Sequence, residues 1–343
     1  MSSKVSVIIP CRNESRHIEA MLRSVLDQDY GSENLEILVA DGMSDDGTTE
    51  IVERFAADHR QVKLIENSER VVPYALNHGL KAASGDIILR MDAHCEYPRH
   101  YVSRLVEVLI AERADNTGGV CDTRAGADTP VASAIALAVK SPFGVGGSRF
   151  RTGADGIMEV DTVPFGCYRR EVFERIGAFD PELIRNQDDE LNARLLRAGG
   201  KILLVPDVVI IYFARPTLLK LTSMFYQYGL FKPLSVKKAG GAVTWRQFAP
   251  PLFVLGNIGG LALGFASPLF WWFILGANGL HFIVGSLMGM KKAMEGGSVK
   301  LPLLLPIVFY AMHWAYGWGY LAGVFRFLLL GRRPDPARIE LSR

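Results

Sequence analysis

From Phe248 to Met290 the chain carries no Lys, Arg, Asp or Glu, and from Leu301 to Phe325 it carries none again. No other feature narrows the folding options as far. A soluble core does not need 43 uncharged residues in a row. A helix rises about 1.5 Å per residue and a bilayer core is ~30 Å thick, so the first gap fits two spans and the second one tilted span. The runs "FWWF" (Phe270 to Phe273) and "HWAYGWGY" (His313 to Tyr320) supply Trp and Tyr, which favour the membrane interface.

Before residue 246 charges are dense, and the formal net charge of +2 gives no sign of a nucleic-acid partner. The opening "MSSKVSVIIPCRNE" is too short in its apolar run to read as a signal peptide, so the hydrophilic part is expected in the cytoplasm. Cys11, Cys95, Cys121 and Cys167 show no C-x-x-C spacing and read as buried, reduced thiols.

The first half alternates apolar runs with helical periodicity. Strands are expected at "VSVIIP", "LEILVAD", "VKLIE" and "GDIILRMDAH". Helices are expected at 15–29 with Ser15 as N-cap, at "DDGTTEIVERFAADH" and at "VPYALNHGLKAA". This order predicts an α/β fold, a mostly parallel sheet with helices on both faces, whose ligands bind outside the carboxyl ends of the strands. Those ends carry Arg12, Asn13 and Glu14, then Asp41, then Asp92 and His94, all opening on one rim. Further on, residues 141–156 read as a mobile Gly-rich loop, "QDDELNARLLRAGGK" as a helix and "KILLVPDV" as a strand. Residues 216–238 read as an amphipathic helix lying on an anionic membrane face.

The segments "SVIIPCRNE", "VADGMSDDG", "ALNHGLKAASGDIILRMDAH", "VPFGCYRREVFERIGAFDP" and "QDDELNARLLRAG" together resemble glycosyltransferase family 2 and its Rossmann-like GT-A fold. In particular they resemble its membrane-bound glucosyltransferases of the succinoglycan-biosynthesis type. The resemblance covers about residues 4 to 230, and the apolar stretch ending in "HWAYGWGYLAG" shares it. It implies that Asp41 accepts a hydrogen bond from a uracil N3–H, while Pro10, Arg12 and Glu14 line the base and ribose. Asp45 and Asp46 are read as turn and cap residues. Asp92 and His94 stand where the family has D-x-D, and are implied to hold a divalent cation, Mn²⁺ or Mg²⁺, against the diphosphate. The imidazole departs from the family's second acid and favours Mn²⁺.

Against the family's E-D-x-D-L-x-x-R-L pattern, Gln187 replaces the first acid, Asp188 is implied to be the general base, and Arg194 is implied to face the donor. Asp189 is the alternative base if the register shifts by one. The general base takes the proton of an acceptor hydroxyl in an inverting displacement.

The implied enzyme is an inverting hexosyltransferase. It would move sugar from a cytoplasmic nucleotide sugar, UDP-glucose or a relative, to a lipid-linked saccharide in exopolysaccharide or cell-envelope glycan synthesis. The chain has no Q-x-x-R-W motif, which favours one sugar per acceptor over polymerisation. A polyprenyl-phosphate sugar transferase and a catalytically inactive nucleotide-binding membrane subunit are the alternatives.

The expected organisation is a catalytic domain over 1–215, an amphipathic interface segment over 216–246, and a transmembrane region over 247–331. That region holds two spans within 248–290 and a third apolar segment over 301–330, and a basic tail follows over 332–343. The expected location is a cytoplasmic membrane, multi-pass, with the catalytic domain in the cytoplasm. Lys237, Lys238, Arg246, Lys291 and Lys292 put both flanks of the first gap inside. A third full span would place the basic tail outside, so that segment is re-entrant or interfacial, or the positive-inside rule fails here. His281 and His313 interrupt apolar segments, where interhelical hydrogen bonding is their expected use. The Trp and Tyr residues near His313 are read as interfacial rather than as a sugar platform, although a lipid-linked acceptor could pass there.

Overall fold

The protein was analysed as a computed structural model that describes residues 3–242 and 244–334; the expected basic tail lies outside these from residue 335 on. One sheet organises the first two thirds of the chain. Its strands are β1 (Val5–Cys11), β2 (Leu35–Asp41), β3 (Val62–Glu66), β4 (Ile87–Arg90), β5 (Cys95–Glu96), β6 (Asn116–Arg124), β7 (Met158–Glu159), β8 (Cys167–Arg169) and β9 (Ile202–Phe213). They lie in the order β3-β2-β1-β4-β8-β6-β9-β5, with β7 on β9. The expected parallel half is β3-β2-β1-β4. Beyond it the sheet is mixed, because β8 runs antiparallel to both β4 and β6.

β1 and β2 are buried at every position, as expected of strands covered on both faces. The strand period of two divides β1 between two cores. Val7 and Ile9 meet helices α1 (Ile18–Leu26) and α4 (Tyr101–Ala111) on one face. Ile8 meets Leu76 of α3 (Val72–Ala82) on the other, with Leu191 and Leu195 of a later helix. Helix α2 (Thr48–Asp58) follows β2. Ser15 does not cap α1, which begins only at Ile18; the Ser15 N–H instead donates to Asp46, tying the turn after β1 to the turn after β2.

After β6 come α5 (Pro130–Lys140), α6 (Pro142–Val145), α7 (Arg149–Thr152), α8 (Arg170–Ile176) and α9 (Gln187–Arg197). The segment expected to be a mobile loop thus holds two single-turn helices. Ser141 Oγ accepts the Phe143 N–H at 3.1 Å to start the first. Left-handed Gly146 and Gly147 separate the two, at φ of +64° and +74°.

The C-terminal third comprises α10 (Leu218–Lys238), α11 (Ala249–Gly264), α12 (Leu269–Met294) and α13 (Leu301–Gly323). The long uncharged stretch folds as α11 and α12. Among the described helices, α12 alone is long and apolar enough to cross a bilayer. The 16 residues of α11 span about 24 Å, short of a hydrocarbon core. Helix α13 does not stand apart as a third span. Its Leu305, Val308, Phe309 and Met312 pack against Ile135, Ala138 and Val139 of α5 and Leu221 and Met224 of α10. Several membrane-crossing helices are therefore not what the structure shows. The outward faces of α11 and α12 nevertheless expose large apolar side chains, among them Leu252, Leu261, Trp272, Phe273, Leu280 and Ile283.

Much of the apolar face of α10 that reads in sequence as bilayer-facing is turned to α13. The two backbones meet because glycines stand at the crossing. A Cβ on Gly319 would lie 2.2 Å from the Tyr226 carbonyl oxygen, and one on Gly229 2.1 Å from that of Tyr316. Gly319→Val should force the helices apart at an overpacking cost of ~1–3 kcal/mol. The expected outcome is a clear fall in the thermal midpoint of the detergent-solubilised protein. An unchanged midpoint would mean the helices do not pack this closely.

Candidate active site

A cavity of about 780 Å³ opens where β4 ends and runs to the apolar helices. Its lining includes Arg90, Asp92 and His94 from the turn after β4, Asp188 and Asp189, and His281 and His313 of α12 and α13. Asp92 lies two residues past β4, held there by its own N–H, which donates to the Tyr97 hydroxyl at 2.7 Å. The expected strand is thus shorter than its motif, and both Asp92 and His94 sit in the following turn.

The central side chain is one that sequence reasoning passed over. The Arg90 guanidinium donates Nε and Nη2 to the two carboxylate oxygens of Asp92, at 2.8 and 3.0 Å. Its Nη1 donates to both oxygens of Asp188, at 2.8 and 2.7 Å. The ring of Phe165 lies 5.6 Å from it. Burial works against the charge on Arg90, but the Asp188 and Asp92 carboxylates overcome this and raise its pKa, so it stays ionised. The available signal was an arginine inside the buried strand "IILR", a place such a residue occupies only when paired.

Asp188 stands in the first turn of α9. The chain enters that helix through Asn186, whose left-handed φ of +63° is held in place by a bond from its side-chain amide to the Tyr228 carbonyl. Burial pushes the Asp188 carboxyl above the usual carboxylate range, with Arg90 opposing and Asp92 and Asp189 adding to the rise. Its neighbour behaves differently. Burial would raise Asp189 too, but Lys232 of α10, at 2.8 Å, together with Arg246 and Thr162, holds it below that range. The elevated group is the better proton acceptor and the depressed one a fixed counterion, so Asp188 rather than Asp189 has the electrostatics of a base.

The structure brings Asp92, His94 and Asp188 to one cavity, with Gln187 also lining it. It does not bring Arg194 there. That guanidinium is spent on Glu190, at 2.6 and 2.8 Å, and on the carbonyls of Ile176 and Ala178, fastening α9 to the loop after α8.

Pro10, Arg12, Glu14 and Asp41 lie on the adjoining rim, where Cys11 and Asp41 are paired across β1 and β2. Asp41 accepts from the Ser44 hydroxyl (2.5 Å) and N–H (3.0 Å), from Thr49 (2.9 Å) and from the Cys11 thiol (3.7 Å), which fill its lone pairs in a turn role. Contact with a base would require exchanging one of these bonds. Asp46 accepts from Thr48 and Ser15, which hold its pKa at about 2 against burial, in keeping with its reading as a turn and cap acid. The four cysteines are buried and outside any disulfide among the described residues, and burial pushes Cys121 up to about 11 and Cys167 to about 12.

Among the described residues no three His, Cys, Asp or Glu groups converge to hold a metal. Asp92 and His94 can supply two ligands, and Glu14 lies 3.8 Å from the His94 Nδ1. That set fits a cation completed by substrate phosphate oxygens, the usual manner for hard divalent ions that keep few protein ligands.

The family model described as Glycosyl transferase family 2 matches residues 6–177. The chain is 34% identical to the succinoglycan biosynthesis protein ExoA of Rhizobium meliloti (strain 1021), over 73% of this chain and 75% of that one. It is 27% identical to a dolichyl N-acetyl-alpha-D-glucosaminyl phosphate 3-beta-D-2,3-diacetamido-2,3-dideoxy-beta-D-glucuronosyltransferase of Methanococcus voltae, over 94% and 97%. Among solved structures it shares the fold of the mannosyltransferase PcManGT from Pyrobaculum calidifontis in complex with GDP-Man and Mn²⁺. There the TM-score is 0.58 and the identity 21%, over 93% of this chain and 88% of that one.

Removing Arg90 leaves two half-buried carboxylates without their shared cation. Arg90→Met should cost ~1–3 kcal/mol at neutral pH, less than the loss of one partner of a fully buried pair. The sign of its pH dependence follows from Asp188. A carboxyl with a folded pKa above its unfolded value contributes stability at low pH that is lost as pH rises through the folded pKa. The gap in thermal midpoint between Arg90→Met and the native protein should therefore narrow from pH 8 to pH 5. A gap that is constant across this range would refute the coupling.

Proposed function

The chain belongs to glycosyl transferase family 2, and from that membership we propose that it is an inverting transferase working at a membrane. It moves a sugar from a nucleotide sugar of the UDP type, such as UDP-glucose, to a hydroxyl of a lipid-linked saccharide. The product serves exopolysaccharide or cell-envelope glycan synthesis. The observation that carries this reading is the single guanidinium of Arg90 gripping both Asp92, on the donor side, and Asp188, on the acceptor side.

In the displacement the acceptor oxygen bonds to the anomeric carbon as the bond from that carbon to the diphosphate oxygen breaks. Asp188 takes the hydroxyl proton, and the nucleoside diphosphate leaves with the electron pair. The elevated pKa of Asp188 strengthens it for that task, and Arg90 fixes its direction. When bound, a divalent cation offsets the charge developing on the diphosphate, and Asp92 and His94 are the side chains that would hold it. Arg151, stacked 5.7 Å from the Tyr212 ring, adds a positive charge to the same cavity. A mannosyltransferase of this fold in complex with GDP-Man and Mn²⁺, and S. aureus TarS 1-349 in complex with UDP, support a nucleotide-sugar donor.

The acceptor reading rests on the extent of the cavity, whose lining includes residues of α12 and α13 as well as Asp188. The dolichyl phosphate named in the Methanococcus voltae relative supports a lipid carrier. A simple phosphate acceptor arrives already ionised and would leave Asp188 without a proton to take. The exposed apolar faces of α11 and α12 suit a hairpin dipping into the cytoplasmic membrane. Arg246 and Lys291 mark its two ends on the cytoplasmic side, and Phe265 to Pro268 form its uncharged tip.

Asp188→Asn should lower sugar transfer by ~10²–10⁴ while UDP affinity, measured by calorimetry, stays near native. Asp189→Asn should cost far less. Transfer by Asp188→Asn at a near-native rate would sink the assignment.

UDP should bind more tightly with Mn²⁺ than with Mg²⁺, because imidazole suits the softer ion. His94→Asp should shift that preference toward Mg²⁺. A UDP affinity indifferent to both metals, in the native protein and in the variant, would rule out the cation role of this turn.

A further inference from the structure

Where α12 and α13 line the cavity, two histidines form a chain of hydrogen bonds that, with both rings neutral, has only one consistent proton arrangement. His313 Nε2 lies 3.0 Å from the Phe143 carbonyl oxygen, which can only accept, so Nε2 carries the proton. The Nδ1 of neutral His313 is then an acceptor. It lies 2.9 Å from His281 Nε2, which must therefore donate. That leaves His281 Nδ1 with a bare lone pair. His281 is 8% exposed and lines the cavity, and its Nδ1 has no partner among the described residues.

Buried acceptors are almost always satisfied, and this one, with under 1 Å² of its own surface exposed on a residue that lines the cavity, takes a ligand's donor group once the rings around it shift slightly. The surroundings define that ligand. Phe253 stacks on His281 at 5.3 Å, and Phe143 and Tyr310 stand 5.1 and 5.5 Å away. Aromatic faces around a neutral acceptor match a sugar ring, with its C–H faces and hydroxyl donors, and not a phosphate, whose oxygens would meet a lone pair.

We propose that His281 is an acceptor-binding residue, its Nδ1 receiving a hydrogen bond from a hydroxyl of the lipid-linked saccharide. This rests on the transferase reading above, and it gives the aromatic cluster around His313 a part in holding sugar.

The test uses the full-length protein in detergent, radiolabelled UDP-glucose as donor, and a chloroform–methanol extract of the producing cells' membranes as acceptor. His281→Phe keeps a ring but removes the acceptor atom. It should raise the half-saturating amount of extract about tenfold, the usual effect of one lost hydrogen bond of this kind, with the donor's half-saturating concentration within twofold of native. His281→Gln can donate its amide to His313 and offer a carbonyl to the sugar, and should recover to within about threefold of native.

The proposal is overturned if His281→Phe saturates with extract as the native protein does. It is also overturned if His281→Gln is as impaired as His281→Phe, since a purely structural histidine would show that. Native protein that hydrolyses UDP-glucose yet labels nothing in the extract would overturn the lipid-acceptor reading, and this inference with it.

Discussion

Everything at the reactive centre hangs on one buried cation. Arg90 is placed by β4, in the middle of the sheet, and its guanidinium faces Asp92 on one edge and Asp188 on another. The two acids come from turns 96 residues apart in sequence, and Arg90 bonds to both at once. A planar fork suits this, because it fixes direction as well as charge. It also explains why two half-buried carboxylates can stand side by side: the cation offsets the desolvation that either would suffer alone.

The catalytic half is tied to the apolar helices by charge as well as by packing. Lys232 of α10 reaches Asp189, next to Asp188, the proposed base, and Arg246, at the threshold of α11, reaches Asp161, which lines the same cavity, at 2.5 Å. Both acids line the cavity, and both cations belong to the segment that leads toward the membrane. A shift of α10 would therefore be felt one residue from Asp188, and a shift at the start of α11 at Asp161 in the same lining. The boundary drawn in sequence between catalytic domain and interface segment has no counterpart in the site, which is built from both.

The parts of this arrangement that were legible in the sequence are the locally encoded ones. β1 to β4 announce themselves as apolar runs closed by polar residues, and α9 as an acid-led amphipathic helix. Asp92 and His94 could be placed just past a strand, and Asp188 at a helix start by its family pattern, and the structure has all three lining one cavity. Arg90 was not, because its meaning lies in a partner 98 residues away. The two-residue strands β5 and β7 are too short to have a period. Helix α13 was read as a possible span because a helix apolar on all sides looks the same in sequence whether lipid or protein surrounds it. Arg194 matched a family position, yet its guanidinium serves the packing of α9, a distinction that only the surrounding carbonyls reveal.

The burial of α13 against α5 also has a consequence in time. The Phe143 carbonyl and the His313 imidazole that meet in the folded protein are 170 residues apart. A ribosome adding ~5–20 residues per second needs on the order of ten to thirty seconds to cover that distance. Throughout that interval α5 presents Ile135, Ala138 and Val139 with their eventual cover unmade. Until α13 is made, that face of α5 has only the later-arriving Leu221 and Met224 of α10 to pack against. The catalytic domain is thus completed last, from its far end, after the apolar hairpin has already been synthesised.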